Sequence, residues 1–386
     1  MTERIAAPWM QRDDLAALFA ALGHGSARYV GGAVRDTLLG LAVKDIDAAT
    51  VLLPDEVMRR LESAGIRAIP TGIDHGTVTA VLPGGPVEIT TLRRDVSTDG
   101  RHATVAFATE WQDDAARRDF TINALYADPA SGDVFDWFDG LADLTARRVR
   151  FIGDARQRIR EDHLRVLRYF RFQARFGALP ADAEAEAACA ELAPTLKGLS
   201  RERVGMEMMN LLGLANPAPT LARMAELGVL AVVLPEADPA ALAALVAEEA
   251  RQQVAPDALR RLAALLPAEP ALAEQVASRF RLSGAQKKRL ALAAGRSADA
   301  GEPRALAYRL GREAALDRLL IAGAEIAPLA GWEIPALPLK GGDIVARGLG
   351  AGPEVARVLR AIETRWIAEG FPDAARVSAL LDEELA

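Results

Sequence analysis

The sequence predicts an α+β chain, a small N-terminal α/β head followed by a remainder that is helical throughout. Three observations carry that expectation. Up to about residue 150, short β-like runs alternate with helical patterns. After about Phe151 the strand signal disappears, and 3.6-residue apolar periodicity continues to the end, broken by Pro and Gly clusters near 215–219, 235–239, 265–270 and 333–342. The 386 residues are rich in Ala, Leu, Glu and Arg and only 5% aromatic, a composition that favours helix.

In chain order, residues 27–30 (Ala-Arg-Tyr-Val) read as a strand, and Ala33 to Leu39 as a helix that Gly40 stops. Asp45 to Val51 reads as a second strand. Pro54 to Ser63 reads as a helix ending near Gly65. Thr77 to Leu82 and Val87 to Leu92 read as a hairpin around Pro83-Gly84-Gly85-Pro86, with one more strand at Thr104 to Ala108. The Ala/Glu-rich stretch 181–191 and the Ala-rich stretch 239–252 read as plain helix, and no internal repeat is visible.

Composition excludes several classes. Cys189 is the single cysteine, so neither an internal disulfide nor a zinc site built on two or more cysteines is possible, and a reducing, cytoplasmic home is expected. No long apolar run follows the N-terminus, and no stretch reaches the roughly 18 apolar residues of a membrane span, so neither a signal peptide nor a membrane partner is expected. A net charge of −7 argues weakly against a nucleic-acid partner, but distribution matters more than the sum. Arginines 147, 148, 150, 156, 158, 160, 165, 168, 171 and 175 share their stretch with only Asp154, Glu161 and Asp162, a local balance of +7. Three acids are too few to pair with ten arginines, so a plain solvated helix face is not expected.

Five motifs carry chemistry. Tyr29-Val-Gly31-Gly32-Ala-Val-Arg35-Asp36 runs from a strand through a Gly-Gly turn into a helix. Such a helix start offers unpaired N–H groups and a positive dipole end, which together seat a phosphate, and Arg35 could reach a triphosphate oxygen. Taken alone, Gly31-Gly32 is an ordinary tight turn. Asp45-Ile46-Asp47 puts two carboxylates on one face of a strand, where they repel unless a cation sits between them. Hard oxygen ligands of this kind suit Mg²⁺. Glu88, in Val87-Glu88-Ile89, is a third candidate carboxylate, as readily an exposed strand residue. In Arg117-Arg118-Asp119-Phe120-Thr121-Ile122-Asn123, Asp119 or Thr121 could cap a helix, while Arg118 and Asn123 suit phosphate and ribose contacts. In Glu161-Asp162-His-Leu164-Arg165-Val-Leu167-Arg168-Tyr-Phe170-Arg171, the residues Asp162, Arg165, Arg168 and Arg171 recur every three positions along one expected helix, and Leu164, Leu167 and Phe170 face the core.

These five motifs, in this order, resemble the signatures of the bacterial-type (class II) CCA-adding tRNA nucleotidyltransferases and their poly(A) polymerase relatives. Leu199-Ser-Arg-Glu202-Arg203-x-x-x-Glu207 resembles that family's neck motif. Residues 208–386 resemble it only loosely, through Leu339-Lys-Gly-Gly-Asp343 and Gly352-Pro353. The resemblance implies an α+β fold in which a small polymerase β-like nucleotidyltransferase head with a mixed sheet (1–150) precedes an all-helical neck for nucleotide selection (151–215), body (216–300) and tRNA-binding tail (301–386). It implies Asp45 and Asp47 as catalytic carboxylates and Mg²⁺ ligands, with Glu88 as a third catalytic acid. It implies Gly31, Gly32, Arg35, Arg118, Asp119, Asn123, Asp162, Arg165, Arg168 and Arg171 as nucleotide-binding residues. The implied reaction adds CCA to a tRNA 3′ end from CTP and ATP, with two-metal nucleotidyl transfer and release of pyrophosphate.

Hydrogen-bond logic supports the role of Asp162 and Arg165. Cytosine and adenine both present an amino donor beside a bare ring-nitrogen acceptor, and uracil and guanine reverse that pattern. Ionised Asp only accepts and Arg only donates, so an Asp–Arg pair satisfies C and A and opposes G and U. Each unpaired buried group costs about 1–3 kcal/mol, whereas a surface i,i+3 ion pair contributes at most about 0.5 kcal/mol.

Alternative readings are a poly(A) polymerase, an enzyme adding only part of the triplet, and an RNA-binding protein with a dead head. A long basic C-terminal tail would suit the first, and this chain ends in Leu381-Asp-Glu-Glu-Leu-Ala386. The stretch from Arg93 to His102 resembles the flexible loop of enzymes that complete the triplet, which argues against the second. Intact Asp45 and Asp47 argue against the third. The histidines (24, 75, 102 and 163) leave the body without metal-ligand pairs for a fused phosphohydrolase.

Overall fold

The computed structural model describes residues 3–99, 102–296 and 301–386. The chain divides into two compact units, one of residues 1–211 with 220–235 and one of residues 212–219 with 236–386.

In the first unit the strands are β1 (Ala27–Val30), β2 (Ile46–Thr50), β3 (Ala68–Gly72), β4 (Thr77–Leu82), β5 (Gly85–Thr91), β6 (Arg93–Asp99), β7 (His102–Phe107), β8 (Tyr126–Ala127) and β9 (Val134–Phe135). Seven form one sheet in the order β3-β4-β5-β2-β1-β8-β9. The β2–β5 pair is parallel and every other pair is antiparallel, so the sheet is mixed as expected. The helices are α1 (Asp13–Leu22), α2 (Gly32–Leu38), α3 (Pro54–Ser63), α4 (Trp111–Ala116), α5 (Gly140–Thr145), α6 (Ala155–Glu161), α7 (Arg165–Phe176), α8 (Ala183–Leu192), α9 (Arg201–Leu212), α10 (Ala218–Glu226) and α11 (Val229–Val233).

Several sequence expectations need correction. The second strand starts at Ile46, so Asp45 precedes it. The hairpin turn is only Pro83-Gly84, because Gly85 and Pro86 pair with Leu82 and Val81. The Arg93–His102 stretch, expected as a loop, forms most of a two-stranded ladder from Arg93↔Phe107 to Asp99↔His102, and its tip at 100–101 lies outside the described residues. The expected helix through Glu161 to Phe172 is two helices. Asp162 is extended (φ −149°), its Oδ1 accepts the Leu164 N–H at 3.1 Å, and its carbonyl accepts the Arg165 N–H at 3.0 Å. An Asp side chain competing for backbone donors is a known helix interrupter, and here it starts α7. As expected, Leu164, Leu167 and Phe170 are buried.

The head core includes Val30, Ala49, Leu92, Ala124 and Tyr126. A second aromatic cluster fastens α7 to the segment before β8. Phe120 lies 5.0 Å from both Phe151 and Phe172, and Phe151 stacks on Tyr169 at 5.8 Å between ring centroids. This packing brings Asp119, next to Phe120, to the face of α7 that carries Arg168.

The second unit is helical, with α12 (Pro239–Arg251), α13 (Ala258–Leu265), α14 (Pro270–Arg279), α15 (Gly284–Ala294), α16 (Pro303–Leu310), α17 (Arg312–Ile321), α18 (Gly341–Ala346), α19 (Pro353–Ala368) and α20 (Ala374–Leu385). The Pro and Gly clusters fall between helices, as expected. Lys340 to Asp343 starts α18, with the Asp343 carboxylate accepting the Lys340 N–H at 2.8 Å. Arg261, 1% exposed, pairs with Glu249 at 2.8 Å and donates to the carbonyls of Leu212, Leu214 and Ala215. Removing one partner of a buried pair strands the other charge. Arg261→Ala should therefore lower unfolding stability by about 3 kcal/mol or more, measured as a fall in the urea midpoint with the slope retained.

Candidate functional site

One open cleft of about 800 Å³ in the first unit collects nearly all of the expected site residues. Gly31, Gly32, Arg35, Asp45, Asp47, Arg118, Asp119, Asn123, Asp162, Arg165, Arg168 and Arg171 all line it. Glu88 does not. It faces Asp47 across the parallel β2–β5 pair, exposed beside the cleft.

Local structure explains these placements. Gly31 lies at φ +67°, a conformation costly for any residue with a Cβ, and a Cβ there would sit 3.2 Å from Arg118 Nη1. The turn thus lets β1 pass into α2 directly beneath Arg118. Arg118 Nε donates to the Tyr126 hydroxyl at 3.0 Å, and its Nη2 lies 3.3 Å from Asp114.

Asp47 is half-buried on β2, and Asp45 is exposed just before it. Burial pushes the Asp47 carboxyl above the usual carboxylate range, the nearby charges of Glu88 and Asp45 add to this, and Arg118 partly offsets it. Among the described residues, no cationic side chain pairs with Asp45, Asp47 or Glu88 within 4.0 Å. Among the same residues, no cluster of three or more His, Cys, Asp or Glu reaches metal-binding proximity. The donor set is thus two oxygen ligands facing an open cleft. That fits a hard divalent cation, which takes one or two carboxylates and completes its shell with water and substrate phosphates.

The opposite wall is a chain of ion pairs. Asp119 is buried, with its Oδ1 accepting from the Phe120 N–H and from Asn123 Nδ2 at 2.9 Å each. Its Oδ2 accepts from Arg168 Nε at 2.8 Å and Nη2 at 2.5 Å. Burial would raise this carboxyl, yet Arg168 and Asn123 hold it below its ordinary value. Asn123 Oδ1 in turn accepts from Arg35 Nη1 at 2.5 Å, and Arg35 Nε donates to Asp36 at 2.8 Å. Arg35, expected to reach toward a triphosphate, is therefore 6% exposed and held by neighbours. Nor do Asp119 or Thr121 cap a helix, since Thr121 donates to Asp143 at 2.7 Å.

Asp162 and Arg165 do not pair with each other. Asp162 Oδ2 accepts from Arg203 Nη2 at 2.7 Å, and Arg165 is held at 2.6 Å by Glu161 and by the carbonyls of Arg158 and Arg117. Arg171 pairs with Glu207 at 2.6 Å. The expected surplus of unpaired arginine is also absent. Among the described residues, each arginine of the 147–175 run except Arg147 has an acid partner, mostly from outside the run, namely Asp36, Asp119, Asp139, Asp143, Glu184, Glu191 and Glu207. Counting acids along the chain misses partners that arrive from other elements.

Five cleft residues were not expected as site residues, namely Leu164, read from the sequence as core-facing, and Phe172, Arg203, Met206 and Glu207. Arg203 and Glu207, four apart on α9, lay within the neck motif, where their spacing was the available signal. Phe172 lies under Arg168 and Arg171, 5.5 and 4.8 Å from its ring centroid, and resembles any core aromatic in sequence. No pattern marks Met206, 54% exposed.

Comparison with known proteins gives the following likenesses. Residues 27–150 match the model of the Poly A polymerase head domain, and residues 181–241 match that of the probable RNA and SrmB-binding site of polymerase A. The mitochondrial CCA tRNA nucleotidyltransferase 1 of Mus musculus is 49% identical over 201 residues, 51% of this chain and 46% of that protein. The CCA-adding enzyme of Geobacillus stearothermophilus is 41% identical over 210 residues, 53% of this chain and 50% of that protein. The chain thus spans about half the length of the curated relatives it matches. A crystal structure of the Bacillus stearothermophilus CCA-adding enzyme in complex with CTP superposes with a TM-score of 0.73, at 28% identity and 98% coverage of both chains. The Thermotoga maritima CCA-adding enzyme complexed with tRNA shares the fold, with a TM-score of 0.69 at 21% identity over 93% of this chain and 90% of that one.

The raised Asp47 carboxyl gives a stability test with a definite sign. A carboxyl whose folded pKa exceeds its unfolded value costs stability once ionised, and this cost is absent below the unfolded pKa of about 3.9. Metal-free Asp47→Asn should therefore melt at a higher temperature than the unsubstituted protein at pH 7, with the gap closing near pH 4. Calorimetry in a chelator reads this directly, and an equal or lower Tm at pH 7 contradicts it.

Proposed function

We propose, for a chain that belongs to the poly(A) polymerase and CCA-adding nucleotidyltransferase family, that it adds CCA to the 3′ end of tRNA from CTP and ATP without a nucleic-acid template. The observation that carries this reading is the composition of one cleft. A carboxylate pair suited to a cation lines it together with an Asp and an Arg able to read a base edge.

Asp45 and Asp47 would hold Mg²⁺, with Glu88 as a nearby third carboxylate. Held by these carboxylates, a divalent ion would supply Lewis acidity toward the 3′ hydroxyl and neutralisation of pyrophosphate charge. The protein's own work is positioning. Gly31 and Gly32 bring backbone close to the triphosphate, and Arg118 offers charge to its phosphates and the ribose. Arg35, Asn123, Asp119 and Arg168 form a preorganised wall, and Arg171 completes it through Glu207.

Base choice falls to Asp162 and Arg165, which act side by side. A carboxylate has about four acceptor positions, and Asp162 uses two, for Leu164 and Arg203. Arg165 commits three of its five N–H groups, to Glu161 and the carbonyls of Arg158 and Arg117. The remaining acceptors and donors suit the amino group and ring nitrogen of cytosine or adenine. They oppose guanine and uracil.

In this reading residues 1–150 act as head, 151–215 as neck, 216–300 as body and 301–386 as tail toward the tRNA. The proposed site of action is the cytoplasm, although the mouse and human relatives are named as mitochondrial. Among the described residues no helix is long and apolar enough to cross a membrane.

A tRNA lacking its CCA end, incubated with Mg²⁺ and each nucleotide mixture and then sequenced, should gain C, C and A in order and nothing with chelator. A long A tail, or arrest after CC, contradicts the proposal. Asp162→Ala should lower incorporation of CTP by about 10-fold or more, or admit UTP and GTP, as expected when one base contact of about 1–3 kcal/mol is lost. Unchanged rates with C and A alone would remove Asp162 from base selection.

A further inference from the structure

In the second unit, one helical face carries more cations than its nearby acids pair with. From Gln275 to Ala298 the chain has Arg279, Arg281, Lys287, Lys288, Arg289 and Arg296, with no Asp or Glu, in a protein of net charge −7. Two of the six are committed. Arg279 pairs with Glu236 at 2.7 Å, and Arg289 pairs with Asp317 at 2.8 Å and Asp257 at 2.9 Å.

The remainder are not. Arg281 and Lys288 are exposed, and among the described residues neither has a carboxylate within 4.0 Å. Lys287 has one loose contact, 3.6 Å to the exposed Glu274. Arg296 donates to the carbonyls of Ala263 and Leu266, and Arg318 of α17 donates to that of Leu292. Neutral acceptors orient these guanidinium groups and leave their charge uncompensated. Burial lowers the pKa of both, with no acid acting against it.

Lys287, Lys288 and Arg318 line one open cleft of about 410 Å³, in which Glu274 is the single acid among the lining residues. Gly295 makes room for Arg318 there, since a Cβ would sit 2.5 Å from its Nη2. The contrast with the first unit is chemical. There, nearly every arginine of the 147–175 run is closed by a carboxylate, whereas here a mixed Lys and Arg face is left open.

A face of this kind suits a chain of phosphates. A lipid surface would call for large apolar side chains beside the cations, for insertion. Among the described residues, none between Met206 and Ile334 is exposed. We propose that the α14–α15 face, with Lys287, Lys288 and Arg318, grips the phosphate backbone of the tRNA substrate. This rests on the functional reading above and adds to it a contact surface built from Lys287 and Lys288 of the body and Arg318 at the start of the tail.

The test uses the full chain with Lys287→Gln and Lys288→Gln together. Binding to tRNA lacking CCA is measured by fluorescence anisotropy from 50 to 200 mM salt, the range over which phosphate contacts are lost. The expected result is a Kd raised about tenfold and a log–log salt slope shallower by about 2, roughly one per phosphate-contacting lysine. The KM for CTP at saturating tRNA should not move, because neither lysine lines the head cleft. The Lys→Arg pair at both positions should retain wild-type binding, which separates charge from folding. An unchanged Kd and slope in the Gln variant, with a wild-type protein that extends tRNA normally, overturns this proposal alone. So does loss of binding to phosphatidylserine vesicles with tRNA binding intact. A wild-type protein that neither binds nor extends tRNA overturns the functional reading, and this one with it.

Discussion

The buried carboxylate of Asp119 is the interaction on which the cleft depends. It lies between two parts of the first unit that sequence separates by about fifty residues, and it is held by Arg168 through two hydrogen bonds. Through Asn123 it also reaches Arg35 and so the Gly-Gly turn. A buried charge of this kind is costly unless fully partnered, so its position fixes that of its partners. The Phe120, Phe151, Tyr169 and Phe172 cluster holds Asp119 and α7 together from below. The nucleotide wall is therefore set by a polar chain lying over an aromatic floor.

The carboxylates of the other wall follow the opposite rule. Asp47 is half-buried beside Glu88 and Asp45, and among the described residues it has no paired cation. One side of the cleft is electrostatically closed, and the other is left repulsive and open to a cation. That asymmetry is what a positioning enzyme needs, because donors that are already fixed require no reorganisation when charge develops on a substrate.

Much of the architecture was legible in the chain. The helix Pro54–Ser63 and the strands Ala27–Val30 and Thr77–Leu82 lie where periodicity and turn residues put them. The strands that went unread have physical reasons. β3 contains Pro70 and stands at the sheet edge, where proline is tolerated. β8 and β9 have two residues each, too few for any period. β6, Arg93-Arg-Asp-Val-Ser-Thr-Asp99, has Val96 as its single apolar residue and belongs to a separate ladder, so no apolar alternation marks it.

By itself the sequence determined the class of fold, the order of its motifs and most of the membership of the cleft, because turn residues, periodicity and carboxylate spacing are local properties. Only the tertiary structure decided who partners whom. Asp162 meets Arg203 instead of Arg165, because its own side chain breaks the helix that would have aligned the two. Most arginines of the 147–175 run are paired by acids that folding brings from other elements, from Asp36 to Glu207. Charge pairing is a long-range property, and a count along the chain cannot see across a fold. For the same reason Lys287 and Lys288 stand out only once the pairing of the other cations is known.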